Sequence, residues 1–168
     1  MKKILFIMII FFLFCFNSYA EDSMQLSSPS FKENERIPKK FTCHGDDINP
    51  ELNISNVPKE AVSLVLIVDD PDAPMGTWTH WVVFNIPATT KTIKKNSIPG
   101  LQGLNSFGKL NYAGPCPPGG THRYFFRLYA LDTTLSLPPG LDRKELEKAM
   151  DVHVIKEIKF VGIYKANF

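Results

Sequence analysis

The sequence lacks the short signatures that identify several common enzyme classes. It contains no His-Glu-x-x-His, Walker or Gly-x-Ser-x-Gly motif, and Leu104 occupies the first glycine position of the last pattern around Ser106. Each of these patterns carries a mechanism, because it supplies zinc ligands, a phosphate cradle or an activated serine. Their absence argues against these classes. We expect a protein that is not an enzyme and that uses no cofactor or metal.

A hydrophobic run long enough to cross a membrane is also missing. The apolar run Ile4–Phe16 has thirteen residues, whereas a spanning helix needs about 20. Two lysines precede this run, and Ser-Tyr-Ala follows it at 18–20. That order is typical of a secretory signal peptide. We predict a signal peptide at 1–20, cleaved after Ala20, and one periplasmic or secreted domain at 21–168.

Two other interpretations of the N-terminus remain. One is a stable membrane anchor, for which the apolar run is too short. The other is a lipoprotein signal at Cys15, where Phe14 is bulkier than the small residue that such signals require.

Neither sign of charge is in surplus once the signal is set aside. Removing Lys2 and Lys3 reduces the 19 Lys and Arg residues to 17, which equals the 17 Asp and Glu residues. Basic residues form no cluster or stripe, so the composition argues against a nucleic-acid partner and against attraction to a membrane surface. A homodimer remains an alternative to a monomer.

Cysteine is scarce, with three residues in the whole chain. Cys15 would leave with the signal, so Cys43 and Cys116 would remain. A pair of cysteines in an exported protein indicates a disulfide, and the alternative is two separate buried thiols. The pair is 73 residues apart rather than in a Cys-x-x-Cys motif, which argues against a redox site.

Strand patterns dominate the rest of the chain. Segments 62–70, 80–87 and 123–132 are rich in β-branched and aromatic residues and are predicted to be strands buried on both faces. Weaker strands are expected at 51–54 and 159–165.

One helix is predicted after Asp142, where Glu145 completes a capping box and Leu146, Ala149 and Met150 form an apolar stripe. The chain is therefore expected to be a mainly β (α+β) domain with a few peripheral helices. Segment 88–121 has Gly and Pro but no periodic pattern, and we interpret it as an ordered, functional loop.

The predicted strands bring several polar residues to one end of a sheet. If 62–70 and 80–87 form an antiparallel hairpin, Asp70 and His80 lie at the same end. His122 joins them if its strand runs in the same direction as 80–87, and Tyr124 shares its face. Prolines near this rim would stiffen it, and Gly119 and Gly120 would permit close approach of a ligand.

The residue types predict the kind of ligand. Histidine and tyrosine donate hydrogen bonds to phosphate oxygens, whereas Asp70 and Asp72 would repel a dianion and accept from an ammonium or hydroxyl group. A small zwitterionic or hydroxyl-bearing phosphate therefore fits best. Taken singly, each residue has a structural explanation: the Asp-Pro segment as a turn, and His80 and Tyr124 as core residues.

Four segments make the chain similar to a known family. They are FTCHGDDINPELNIS at 41–55, DPDAP at 70–74, HWVVFNIP at 80–87 and GPCPPGGTHRY at 114–124. Together they resemble the phosphatidylethanolamine-binding protein family, also called Raf kinase inhibitor-like proteins, over nearly all of the chain after residue 20. The resemblance implies a large central antiparallel sheet packed on a smaller one, and a shallow pocket for anions and phosphorylated head groups.

The resemblance also implies the pocket residues. Carried over position by position, they are Asp70, Asp72, Pro74, His80, Cys116, Pro117, His122 and Tyr124. Cys116 would place one end of a Cys43–Cys116 bridge at the pocket wall, where it would tether the long loop.

This chain departs from the animal branch of the family in three ways. The connections before His80 and His122 are short, and the chain ends at Phe168 soon after its last strand, so we expect no C-terminal helix over the pocket. Kinase regulation is not transferred with the fold. The main alternative is a protein–protein modulator using the same surface, and a metal-dependent or acid/base hydrolase is favoured least.

Overall fold

The computed structural model describes residues 23–166, so the predicted signal peptide lies outside the described residues. Within that range, no helix has the length and apolarity needed to cross a membrane. The strands in this range are β1 Gln25–Ser27, β2 Leu52–Ser55, β3 Ser63–Asp70, β4 Trp78–Pro87, β5 Thr92–Ile93, β6 Leu101–Gln102, β7 Thr121–Leu131 and β8 Val154–Lys165. They form a three-stranded sheet of order β1-β2-β5 and a five-stranded sheet of order β6-β4-β3-β7-β8.

Both sheets are antiparallel. A larger sheet packed on a smaller one, as the family resemblance implies, is therefore the architecture of this chain. Helical structure is limited, within the described range, to the α-helix α1 at Arg143–Met150 and two 3-10 turns at Lys39–Phe41 and Asp151–His153.

Strand β3 lies at the centre of the large sheet, and all eight of its residues are buried. Leu64, Leu66 and Val68 face a core shared with the small sheet. Val65 and Ile67 face a second core that is closed by α1. Side chains of a strand point alternately to its two faces, so a strand covered on both faces is buried throughout, as predicted, and its middle part, residues 64–68, is apolar on both faces.

Strand β7 differs from its prediction as a strand buried on both faces. Its first half alternates, with Thr121 and Arg123 exposed while His122 and Tyr124 are buried. The α1 core includes Tyr129 and Leu131 at the far end of this strand. The near end of that face stays open to solvent, and polar residues are accommodated there.

The helix α1 begins as predicted. The Glu145 amide donates to Asp142 Oδ1 at 2.9 Å, and the Asp142 amide donates to Glu145 Oε2 at 2.9 Å. This reciprocal pair is a capping box. Leu146 and Met150 are buried under the sheet, whereas Ala149 is only half-buried.

Segment 88–121 is ordered, and it contains the short strands β5 and β6. Gly114 packs so tightly against the backbone of the 3-10 turn that an added Cβ would lie 2.3 Å from the Phe41 carbonyl oxygen. Its amide donates to Asp47 Oδ1 at 2.6 Å. The end of this long segment is thereby held against residues 41–47.

Candidate functional site

A cavity of about 320 Å³ lies at the end of the large sheet where β3 ends and β4 and β7 begin. Strands β4 and β7 each pair antiparallel with β3, so they run in the same direction and start at the same edge. Asp70, His80 and His122 line the cavity. The three strand ends therefore meet as the sequence predicts, and they form a shared concavity.

Asp70 and His122 form a buried pair. His122 Nδ1 donates to Asp70 Oδ2 at 2.7 Å, and the two side chains are 9% and 5% exposed. The second oxygen of Asp70 accepts from the Asp72 amide at 2.8 Å. Because the carboxylate faces Nδ1, that nitrogen carries a proton and fixes the ring orientation. Among the described residues, no hydrogen-bond partner is found for His122 Nε2.

A β-bulge directs His80 into the cavity. Val68 pairs with Trp81 but Asp69 pairs with Thr79, so His80 is an extra residue in β4. A bulge re-aims side chains locally. Trp81 belongs to the core between the two sheets, and His80 packs on the same face with its ring edge-on to Tyr124 at 5.3 Å. His80 and Trp81 are successive in the chain, and because of the bulge both face the same side of the large sheet.

The protonation of His80 follows from its contacts. Nδ1 lies 2.6 Å from the Ala113 carbonyl oxygen, which can only accept, so Nδ1 carries the hydrogen. Nε2 is buried and has no hydrogen-bond partner in the described chain. Burial lowers the pKa of His80, and this effect outweighs the hydrogen bond to Ala113, which raises it. His80 is therefore neutral near pH 7 and presents an acceptor nitrogen to the cavity.

Tyr124 lies beneath the cavity and does not line it. The side chain is fully buried, and its hydroxyl makes no hydrogen bond within the usual limits to the rest of the described chain. Burial, with the negative charge of Asp70, raises the pKa of this hydroxyl well above its ordinary range. Tyr124 supports His80 from below through ring packing.

Asp72 is engaged outside the cavity. The Arg123 guanidinium donates to both of its oxygens, at 2.9 and 2.7 Å, and the Arg123 amide donates as well at 2.9 Å. These hydrogen bonds lower the pKa of Asp72 to about 2. Pro117 is buried and is also absent from the cavity lining, whereas Pro74 and Cys116 belong to it.

The rest of the lining is apolar and comprises Ala73, Met75, Trp78, Phe107 and Pro118. The prediction from the sequence includes the rim proline Pro118 and the motif that contains Ala73, but it misses Met75, Trp78 and Phe107. Met75 is 90% exposed and Phe107 is 48% exposed, and the Phe107 ring packs edge-on against Trp78 at 5.3 Å. The one feature of the sequence that could have revealed these lining residues is the presence of large apolar side chains in the segments between the predicted strands. The cavity thus has a polar floor and an apolar rim. The floor is formed by Asp70, His80 and His122, and the rim by Met75, Trp78 and Phe107.

One wall of the cavity is covalently anchored. A disulfide joins Cys43 to Cys116, with Cα atoms 5.5 Å apart, and this pairing is the one predicted. The Cys43 amide also donates to the Pro115 carbonyl at 3.2 Å. Cys116 lines the cavity, so the bridge ties the cavity wall to the loop that follows the first 3-10 turn.

Comparison with known proteins identifies the family. The family model described as phosphatidylethanolamine-binding protein matches residues 27–165. The chain belongs to the phosphatidylethanolamine-binding protein family. The match includes both sheets beyond β1 and every cavity residue named above.

Relatives of this family member are found in archaea and bacteria. A "UPF0098 protein" of Pyrococcus horikoshii is 53% identical over 156 residues, which cover 86% of this chain and 79% of that one. Another from Methanothermobacter thermautotrophicus is 49% identical over 149 residues, covering 84% of this chain and 99% of its own length.

Two solved structures share the fold. A putative phosphatidylethanolamine-binding protein homologue from Chlamydia trachomatis matches with a TM-score of 0.84 and 43% identity. YbcL of E. coli, described as a new member of the mammalian family, matches with a TM-score of 0.79 and 28% identity. Each match covers 86% of this chain and 99% of the other.

Proposed function

We propose that this family member binds a small phosphorylated ligand in the cavity at the strand ends and does not convert it chemically. The observation that carries the proposal is the buried Nε2 of His80, which has no hydrogen-bond partner in the described chain and belongs to a residue that lines the cavity. A buried polar atom without a partner is costly, and a ligand atom would supply that partner. His122 stands on the same floor, oriented by Asp70.

The charges of the floor select the ligand. Asp70 is buried and its carboxylate repels a dianion, whereas a neutral His80 accepts a hydrogen bond. A ligand with both an anionic oxygen and a donor meets these demands: a phosphate carrying an ammonium or hydroxyl group, or a singly protonated phosphate. Phosphoethanolamine is the simplest probe of this class.

The rim indicates that the ligand has an apolar part. Met75, Trp78 and Phe107 surround the mouth, and burial of their surface would stabilise a bound hydrocarbon chain by about 25 cal/mol per Å². We therefore infer an amphiphilic ligand of the phospholipid head-group type, with the phosphate on the floor and the chain on the rim.

The lining favours binding over catalysis. Its ten residues include no Ser, Thr or Lys, and its one cysteine is held in the disulfide. The Asp70–His122 pair resembles an acid–base dyad, but the wall provides no hydroxyl, amine or free thiol for it to activate. Purified protein is expected to show no turnover of phosphatase or esterase substrates, and a rate that disappears in His122→Ala would contradict this.

Binding of phosphoethanolamine, measured by isothermal titration calorimetry, tests the proposal directly. One ligand is expected per chain, and His122→Ala should weaken binding by at least about 10-fold, because a hydrogen bond to a charged group contributes roughly 1.5–3 kcal/mol. Asp70→Asn should weaken phosphoethanolamine but strengthen inorganic phosphate, since the variant loses the ammonium acceptor together with the repulsion.

His153→Ala is the matched control for this experiment. His153 forms a similar pair with Asp132 at 2.8 Å, just beyond the opposite end of β7 from His122. Its removal should leave the affinity unchanged. Absence of saturable binding, or equal losses in His122→Ala and His153→Ala, would overturn the proposal.

Binding of an anion is expected to depend on pH through His80. Burial holds the pKa of free His80 below its ordinary 6.5, and a bound anion raises it because the imidazolium form is then stabilised. The affinity gain is therefore complete below the free pKa and is lost as pH rises through the pKa of the complex. Sulfate is the suitable probe although Asp70 weakens its binding, because its charge stays constant over this pH range, whereas phosphate esters themselves titrate near pH 6.

The sulfate affinity should fall by up to about 10-fold per pH unit as pH rises from the free pKa, which lies below 6.5, to the pKa of the complex. His80→Gln should abolish most of this slope while keeping a polar side chain. If the sulfate affinity of His80→Gln depends on pH as strongly as that of the starting protein, a group other than His80 takes up the proton on binding.

We also propose that the protein is exported and cleaved after Ala20. The pattern of residues 1–20 and the Cys43–Cys116 bridge support this, because disulfides persist in oxidising compartments. The intact mass of protein recovered from the periplasm or medium should correspond to a chain starting at Glu21, and recovery only of the full-length chain from the cytoplasm would contradict it.

A second candidate function is modulation of a protein target. It is favoured by Met75, whose 90% exposure places a large apolar group where a peptide could pack. A phosphorylated peptide that competes with phosphoethanolamine, and binds at least as tightly, would favour this candidate.

A further inference from the structure

Three potential metal ligands lie together beside the cavity, and one of them, Cys116, belongs to its lining. They belong to Cys43, His44 and Cys116, and their donor atoms are all within 4.8 Å of one another. In the oxidised protein the two sulfur atoms are bonded to each other, so this cluster cannot coordinate a metal through thiolates. Reduction of the disulfide would free both sulfur atoms to bind a metal ion.

The backbones that carry the two cysteines are held together by more than the disulfide. The Cys43 amide donates to the Pro115 carbonyl at 3.2 Å, and the Gly114 amide donates to Asp47 Oδ1 at 2.6 Å. The close approach of Gly114 to Phe41 adds a steric fit. These contacts do not depend on the sulfur–sulfur bond, so the two thiols are expected to stay adjacent after reduction.

The loop that carries His44 is also hydrogen-bonded within itself. Thr42 Oγ1 donates to the Lys39 carbonyl at 2.8 Å and accepts from the His44 amide at 3.3 Å. The Gly45 amide donates to the Thr42 carbonyl at 2.9 Å. His44 is therefore placed beside Cys43 by local structure, which limits the entropy lost when a metal binds.

We propose that the reduced protein binds one Zn²⁺ ion through Cys43, Cys116 and His44. A dithiol gives two electrons and two protons to the protein disulfide and itself becomes a disulfide, whereas a phosphine becomes a phosphine oxide and water supplies its oxygen and the two protons. Either reaction leaves two protein thiols. Zn²⁺ then displaces the two thiol protons, and a neutral His44 nitrogen supplies the third ligand. Water completes the tetrahedral coordination that zinc adopts.

The distances suit this ion. Zinc bonds of about 2.3 Å to sulfur and 2.0–2.1 Å to nitrogen place neighbouring tetrahedral ligands roughly 3.5–3.8 Å apart. Cys43 Sγ lies 3.4 Å from His44 Nδ1 and 4.0 Å from Nε2. The sulfur atoms must separate to a similar spacing, and the Cα–Cα distance of 5.5 Å leaves room for this.

Tyr164 provides an outer partner. Its hydroxyl lies 3.3 Å from His44 Nδ1, and the two rings pack with centroids 5.9 Å apart. Histidines that bind metals usually hold their second ring nitrogen in such a hydrogen bond. Coordination through Nε2 would keep this contact intact.

The site and the disulfide exclude each other, because the same two sulfur atoms serve both. Zinc binding should therefore appear only after reduction, and an oxidant that re-forms the disulfide should release the metal.

Cobalt titration of the reduced protein tests the proposal. The full chain is used as a Cys15→Ser variant, so that no third thiol competes, and is reduced with a phosphine. Addition of Co²⁺ should produce thiolate charge-transfer and tetrahedral d–d absorption at one equivalent, and Zn²⁺ should displace the cobalt. Oxidised protein should show neither band.

Variants assign the ligands. His44→Ala should weaken zinc binding by at least about 10-fold, and it keeps both thiols and the ability to form the disulfide. Cys116→Ser should remove the charge-transfer band or reduce it by about half. His153→Ala is the matched control and should change nothing.

Folding of each reduced sample is checked by circular dichroism before titration. A folded reduced protein that lacks one-equivalent binding, or that binds equally well in His44→Ala, would overturn the proposal. Loss of structure on reduction would also overturn it, because the site depends on the backbone contacts surviving.

Discussion

Replacing both Cys43 and Cys116 by serine is expected to lower the free energy of unfolding by about 4 kcal/mol. The bridge spans a sequence separation of 73 residues, and closing a loop of that size restricts the unfolded chain by roughly this amount in the chain-entropy model. Whole domains are stable by only about 5–15 kcal/mol, so the variant would lose a large share of its stability. Urea unfolding in the presence of a chelator measures the change.

The unchanged chain reduced with a phosphine is the matched comparison, because it opens the bridge without replacing a residue. Its unfolding curve should coincide with that of the double variant. A loss below about 1 kcal/mol in the double variant would mean that the tight packing of Gly114 and its hydrogen bond to Asp47 hold the loop without the bridge.

The same double variant connects stability to binding. Cys116 forms part of the cavity wall, and reduced order in that wall would add an entropic cost when a ligand binds. Phosphoethanolamine affinity is therefore expected to fall less than stability does, because the floor residues Asp70, His80 and His122 are positioned by the sheet.

The meeting of Asp70, His80 and His122 could be predicted from the sequence because it needs only coarse information. Strongly apolar runs located the strands, and antiparallel pairing brought the end of one strand to the start of its neighbours. An error of one or two residues in a strand boundary does not move a residue to the other end of the sheet.

The direction of His80 could not be predicted in this way. It depends on a one-residue register shift between Val68 and Asp69, and simple alternation would put His80 and Trp81 on opposite faces. A bulge depends on how two strands pack together, and that information is absent from the local pattern of either strand.

The short strands and the apolar rim also escaped prediction. Strands β5 and β6 have two residues each, so they exist because of the strands they pair with rather than through their own propensity. Met75 and Phe107 lie in loops, where apolar residues follow no period. Their part in the cavity is visible only once the loops are folded.

The second large effect is expected at Asp69, which precedes Asp70 but faces the other side of the sheet. Its side chain is fully buried, and Oδ2 accepts from Arg127 Nε and from Arg143 Nη1, each at 2.8 Å. The two arginines are about one-fifth exposed. This cluster joins β3, β7 and α1 behind the cavity.

The double variant Arg127→Met/Arg143→Met is expected to lose about 3–5 kcal/mol of stability, because it leaves a buried carboxylate without either cationic partner. Either single variant should lose clearly less than half of this, since the remaining arginine still neutralises Asp69. Urea unfolding of the three proteins measures the difference.

Adding Asp69→Asn to the double variant separates charge from packing. The neutral amide carries no desolvated charge, so the triple variant should recover most of the lost stability. Glu147→Gln/Glu157→Gln is the matched control: it removes the outer acidic partners of the two arginines and should cost no more than about 1 kcal/mol. A triple variant as unstable as the double would assign the loss to arginine packing, and the buried charge of Asp69 would then not be what binds α1 to the end of β3.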